Sequence, residues 1–143
     1  MDPAPQLIPA LVSSFPAPEY SLDGESMRQA IGDRTMFSLF HVAEGDKVDF
    51  WLLTDDPFDV MRFSRRSSQE VLGTRVFVSS PEDTILAKLR WAKLSGGSEK
   101  QLHDALGVYE VQRASLDMEY LKRWVKTLHI KEYWDRLLQE SAP

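Results

Sequence analysis

Asp49 is the residue whose placement most asks for a chemical explanation. It falls in the middle of Lys47-Val48-Asp49-Phe50-Trp51-Leu52-Leu53, a run that reads as a β-strand, where aspartate is disfavoured. Strand alternation puts Lys47, Asp49, Trp51 and Leu53 on one face and Val48, Phe50 and Leu52 on the other. A carboxylate among large apolar neighbours has two readings. It borders a cleft and does acid–base or metal work, or it faces solvent beside Lys47. The pattern alone leaves both open.

Lys88 and Arg90 come next, in Ser80-Pro81-Glu82-Asp83-Thr84-Ile85-Leu86-Ala87-Lys88-Leu89-Arg90-Trp91. On a helical wheel Lys88 flanks the apolar stripe on the Trp91 side and Arg90 flanks the other, so the two do not serve one point. Each either meets a substrate or lays its stem along apolar surface with its charge in water. Asp104 lies opposite the stripe of its own helix and four residues after Lys100, so a surface i, i+4 pair is the simplest reading. Asp56, Asp59, Glu82 and Asp83 sit at predicted helix starts, where acids satisfy free N–H groups and the helix dipole. His41, His103 and His129 have no mutual metal spacing and no nucleophile partner. There is no glycine-rich phosphate loop and no His-Glu-x-x-His motif.

The elements that position these residues follow from periodicity. Ile8, Leu11, Val12 and Phe15 mark an amphipathic helix ended by Pro16 and Pro18. A second helix is predicted over Gly24 to Ile31, capped by Asp23. Met36 to Val42 and Lys47 to Leu53 read as an antiparallel hairpin around Glu44-Gly45-Asp46. Asp56-Pro57-Phe58-Asp59 opens a helix that runs to about Arg66. Glu70-Val71-Leu72 and Arg75 to Val78 bracket a Gly73-Thr74 turn.

The rest is helical. Ser80-Pro81-Glu82-Asp83 is a capping-box variant before the stripe Ile85, Leu86, Leu89, Ala92. Gly96-Gly97 ends that helix, and Ser98 to Gln101 has the form of a second box before Leu102, Ala105, Leu106 and Tyr109. Asp117 caps a helix carrying Leu121, Trp124, Val125 and Leu128. The last helix carries Ile130, Trp134, Leu137 and Leu138. These stripes predict a C-terminal helical bundle packed on a sheet. The expected class is α+β, one domain with a mixed α/β region over residues 1–79 and a helical region over 80–143.

Composition narrows the function classes. The 143 residues are 43% hydrophobic and 27% charged, which suits one globular domain with its own core. With no cysteine, disulfides and thiolate metal sites are excluded. The net charge of −5 repels phosphate backbones, so nucleic acid is not the expected partner despite the Arg62, Arg65, Arg66 cluster. No apolar run approaches the ~20 residues of a membrane span. The opening Met1-Asp2-Pro3-Ala4-Pro5 has no basic signal-peptide region. A cytoplasmic location is expected.

Taken in order, Lys47-Val48-Asp49-Phe50, Asp55-Asp56-Pro57-Phe58, Ser80 to Trp91, and Ser98-Glu99-Lys100-Gln101 leading to Asp104 carry a resemblance. From about residue 35 to the end, the chain resembles the later part of small bacterial nucleotidyltransferase-fold proteins. These are the minimal nucleotidyltransferases and the AbiEii-type abortive-infection toxins. The resemblance implies a partial mixed sheet with flanking helices. It implies that Asp49 matches the third carboxylate of the metal site, that Lys88 meets a triphosphate, that Asp104 is the acid after the Ser-x-x-Gln cap, and that Arg90 is a weaker candidate. A complete family member uses Mg²⁺ and a nucleoside triphosphate, because two metal ions clamp the oxygens of an in-line transfer.

The chain departs from that family in one respect. It has no Gly-Ser pair followed by Asp-x-Asp. The resemblance therefore implies that roughly 50 or more residues of helix and strand are missing upstream. One acid cannot hold two metal ions in defined geometry, so neither metal nor nucleotide is firmly implied for this chain, and no nucleotide transfer is expected from it. A sheet without its central strands exposes an edge, which implies self-association or a protein partner. The alternative expectation is a non-catalytic interaction module.

Overall fold

The computed structural model describes residues 5–142. Most of the opening Met1-Asp2-Pro3-Ala4-Pro5, read above as lacking a signal region, lies outside them. Among the described residues there are seven α-helices and two small antiparallel sheets, an α+β protein as the sequence predicts. The chain divides between Val60 and Met61 into two compact units. The change to an all-helical chain expected near residue 80 is present, but the compact units divide earlier.

The first unit begins with α1 (Ile8–Ser14), which stops where Phe15 N–H bonds back to Leu11 O and Pro16 follows. A two-residue β1 (Tyr20–Ser21) leads to α2 (Gly24–Asp33). Asp23 caps α2 as predicted, accepting from Ser26 N–H at 2.8 Å. β2 (Met36–His41) and β3 (Asp46–Trp51) follow. Between them Gly45 takes φ +73°, a backbone position that favours glycine.

The sheet order is β1-β2-β3, antiparallel throughout. The mixed sheet implied by the resemblance is therefore corrected. A tight turn between β2 and β3 permits only antiparallel pairing, since a parallel pair needs a long crossover. The register sets Phe37 opposite Phe50, Ser38 opposite Asp49 and Leu39 opposite Val48. One face of the sheet feeds the core of this unit. Phe37 and Leu52 cluster there with Ile8, Met27 and Ala30 from the two helices, and Leu11, Val12, Leu22 and Ile31 pack around them.

The units divide inside α3 (Pro57–Ser64). Its start is well determined. Asp56 accepts Phe58 N–H at 3.0 Å, and the Thr54 hydroxyl donates to Asp59 at 2.6 Å.

The second unit holds a hairpin and four helices. β4 (Ser67–Val71) and β5 (Thr74–Val78) pair only with each other. The strand before the turn is longer than the predicted Glu70 to Leu72. Leu72 and Gly73 at the tip have φ of +50° and +78°, the signs a two-residue type I′ turn demands. Leu72 is a strained choice there, because a β-carbon disfavours left-handed backbone, and its side chain is 100% exposed.

α4 (Pro81–Leu94) and α5 (Glu99–Gln112) form a helical hairpin around Gly96 and Gly97. Both glycines have positive φ, and Gly97 N–H closes onto Ala92 O at 2.8 Å. The Ser80 box forms: Ser80 Oγ accepts Asp83 N–H at 3.1 Å. The Ser98 box does not, since Ser98 makes no side-chain cap bond. Its own N–H is turned back to Ala92 O at 3.3 Å by the glycine corner. α6 (Met118–Thr127) starts on Asp117, which accepts Tyr120 N–H at 2.9 Å. α7 (Lys131–Glu140) closes the bundle. Ile85, Leu86, Leu89, Ala92, Leu121 and Leu137 are wholly buried; each leucine or isoleucine contributes about 2 kcal/mol by leaving water. Tyr109 meets Trp134 edge-on at 5.9 Å.

Candidate functional site

Lys88 and Asp104 are brought together. Lys88 projects from α4 and Asp104 from α5, and Lys88 Nζ donates to Asp104 Oδ2 at 2.9 Å. The i, i+4 pairing of Asp104 with Lys100 is therefore not its main contact. The glycine corner folds α5 back along α4, which sets the two residues side by side across the helix pair. Both side chains are about one-third exposed, 30% and 37%, so the pair is open to a ligand. The Lys88 ammonium holds the Asp104 carboxyl below its ordinary range, with Lys100 and His103 adding to the effect. The pair lines a groove of about 530 Å³ that also takes in His103, Gly107 and Gln112. An ammonium has three donors, and Asp104 occupies one. Lys88 can thus offer two more to an anion while Asp104 fixes its position.

Arg90 is elsewhere. It lies about 200° round α4 from Lys88 and does not line that groove. This agrees with the helical-wheel reading that the two cations serve different points. A second groove, of about 690 Å³, runs between α6 and α7, with Lys122, Lys126 and Lys131 around Val125 and Trp134. None of the predicted site residues lines it.

Asp49 belongs to the first unit, and it has local partners that its mid-strand position did not disclose. Ser38, its cross-strand neighbour, donates to Oδ1 at 2.6 Å. Lys47, two residues back on the same face, reaches Oδ2 at 3.0 Å. The pair with Lys47 that the sequence suggested is formed. The Ser38 bond, then Lys47, holds the carboxyl below its ordinary range. The residues around Asp49 do not fit a metal ion. Both oxygens face hydrogen-bond donors, and one donor is a cation. Among the described residues no group of three or more His, Asp or Glu side chains converges as a ligand set.

Sequence reasoning missed a third constellation. Asp83 is wholly buried and Glu82 nearly so. Arg65 reaches both, with Nε to Asp83 Oδ2 at 3.1 Å and Nη2 to Glu82 Oε2 at 3.3 Å. The Tyr120 hydroxyl donates to Asp83 Oδ1 at 2.6 Å, and Glu82 Oε1 accepts Asp117 N–H at 2.9 Å. The Arg65 guanidinium lies 3.9 Å from the centre of the Tyr120 ring. Burial, and then Asp83, push the Tyr120 phenol above its ordinary value, so it remains a donor. The acids are helix-start residues as predicted, but they also clamp α4 to α6 and to the segment after α3. Every carboxylate oxygen named here has a partner within the protein, which marks the cluster as scaffold.

No protein-family model, curated protein or solved structure matches the chain. No helix among the described residues is long and apolar enough to cross a membrane.

Proposed function

We propose that this chain is the C-terminal portion of a nucleotidyltransferase-type protein, able to contact a nucleoside triphosphate through Lys88 but unable to transfer it alone. The observation that carries the reading is the Lys88–Asp104 pair. Two residues singled out by the resemblance, 16 positions apart, meet at 2.9 Å on an open groove. Asp104 orients the ammonium, and the remaining N–H donors suit phosphate oxygens. Arg90 has no part in that groove. Asp49, tied to Ser38 and Lys47, supplies no metal site by itself. The reading places the protein in the cytoplasm, where nucleoside triphosphates are available.

The test has two arms. In the first, ATP, GTP, CTP and UTP are titrated into the protein by NMR. Weak binding is expected for at least one of them, with amide shifts on α4 and α5, reduced at least fivefold in K88A. Binding equal in K88A and wild type, or absent altogether, would remove the reading. In the second, label from α-³²P nucleotides is followed with Mg²⁺ and cell extract as acceptor. No incorporation above background is expected. Incorporation by the purified chain would show that its chemistry is complete.

A second reading, a non-catalytic interaction module, is favoured by exposed apolar side chains on both sheets. Val48, Phe50 and Trp51 are at least 40% exposed, as are Val71, Leu72 and Phe77. Recovery of a stoichiometric protein partner, without any nucleotide effect on thermal stability, would support this reading over the first.

A further inference from the structure

β3 is an edge strand with an unusual charge arrangement. It pairs with β2 on one side, and among the described residues no strand pairs with it on the other. All six of its residues are exposed. Such an edge presents free N–H and C=O groups, a template for another strand. Charged side chains on an edge usually block that pairing. Here their spacing does the opposite for one partner.

Lys47 and Asp49 share a face and have opposite signs. Suppose a second copy of β3 lies antiparallel to the first about a two-fold axis at Val48. Lys47 then stands directly opposite Asp49 of the second copy, and Asp49 opposite its Lys47. Registers that keep each side chain on its face shift the pairing by two residues, which moves the axis one residue along the strand, to Lys47 or Asp49. An axis at Lys47 sets lysine against lysine, and an axis at Asp49 sets aspartate against aspartate. Directly opposed like charges are destabilising. Only the Val48 register gives both charges an opposite-sign partner across the interface, beside the 3.0 Å Lys47–Asp49 pair within each strand. On the other face it lays Val48, which is 52% exposed, against its own copy. Phe50, stacked on Phe37 at 5.0 Å, then comes diagonal to that contact. Ser38 still holds Asp49 from the β2 side, so the carboxylate is already oriented.

We propose that two copies of this chain join β3 to β3 in this register, continuing the three-stranded sheet across a two-fold axis. The proposal does not rest on the transferase reading. A single strand pair buries less than the ~1,200 Å² of a standard stable interface, so the dimer is weak and concentration-dependent. Its two ion pairs are exposed and therefore screened by salt.

Sedimentation velocity from about 1 µM to about 1 mM, the range in which weak association is read, tests it. The wild-type chain is expected to move from monomer to dimer, less readily in 1 M salt. K47E alone and D49K alone are expected to stay monomeric, with far-UV circular dichroism unchanged. Mixed in equal amounts they are expected to form a one-to-one dimer, because each restores the other's missing charge. Since the chain has no cysteine, V48C gives a second reading: mild oxidation should cross-link it at least tenfold faster than L72C, an exposed control. A wild-type chain that stays monomeric throughout overturns the proposal and leaves the edge to a strand from another polypeptide. A dimer that survives K47E and D49K, or V48C cross-linking no faster than L72C, overturns it in favour of another surface.

Discussion

Two aspartates in this protein have similar partners and opposite surroundings. Asp83 takes a hydroxyl from Tyr120, a hydroxyl from Ser80 and a guanidinium N–H from Arg65, and none of it is exposed. Asp49 takes a hydroxyl from Ser38 and an ammonium from Lys47, with its side chain 30% exposed. The chemistry of the contacts is nearly the same. What differs is whether water can replace them. A buried carboxylate has no substitute for its partners, so it fixes structure. An exposed one can exchange a partner for water or for another protein, so it is available for binding. Lys88 and Asp104, 30% and 37% exposed, belong with the exposed case.

The largest expected effect comes from breaking the buried case. D83A removes the acid and leaves Arg65 and the Tyr120 hydroxyl without it. We expect a loss of about 3–5 kcal/mol in the unfolding of the second unit, the usual result of stripping one partner from a buried pair. Urea denaturation followed by tryptophan fluorescence measures it. A loss under about 1 kcal/mol, the range of an exposed pair, would mean that water already reaches Asp83 and would erase the contrast with Asp49.

Y120F sharpens the comparison by deleting one hydroxyl. A hydrogen bond to a charged acceptor contributes about 1.5–3 kcal/mol, so the loss should be smaller than in D83A. Because the two residues share a contact, D83A/Y120F should cost less than the sum of the single variants. Strict additivity would mean that the 2.6 Å bond carries no coupling.

The smallest effect belongs to Asp104, and it depends on pH. Its carboxyl is held below the ordinary 3.8 by Lys88. A group with a depressed folded pKa stabilises above its unfolded value, and that share is lost as pH falls through the folded value. D104N should therefore cost under about 1 kcal/mol at pH 7, as exposed pairs do. The gap between wild type and variant should close as pH drops below 4. Thermal melts between pH 7 and pH 2.5 read this, and a gap that widens in acid would reverse the assignment.

Legibility in the sequence divides along the same line, between near and distant partners. Periodicity and capping depend on neighbours within a few residues, so α2, α4 and α6 were predicted together with their caps Asp23, Ser80 and Asp117. The glycine corner at Gly96-Gly97 was legible for the same reason. α3 ends at Ser64, two residues before the predicted Arg66, as helix ends often fray from pattern-based bounds. The Lys88–Asp104 pair was only half visible: both residues were singled out, but the nearer Lys100 was the expected partner. Arg65 and Tyr120 were missed because their partners lie 18 and 37 positions away, and no local spacing encodes such a meeting. Asp49 was conspicuous because strand pattern disfavours aspartate. Its hydrogen bond to Ser38 depends on cross-strand register, which periodicity leaves open.

The hairpin tip carries a different lesson. Leu72 packs against nothing and holds a backbone conformation that asparagine or glycine would adopt with less strain. A position that neither core depends on is one where the chain tolerates rewriting. A tag, a probe or a short insertion placed at Leu72 leaves both units their own contacts, provided Gly73 keeps its turn. In this molecule the most conspicuous apolar residue on the surface is also the point of greatest freedom for sequence change.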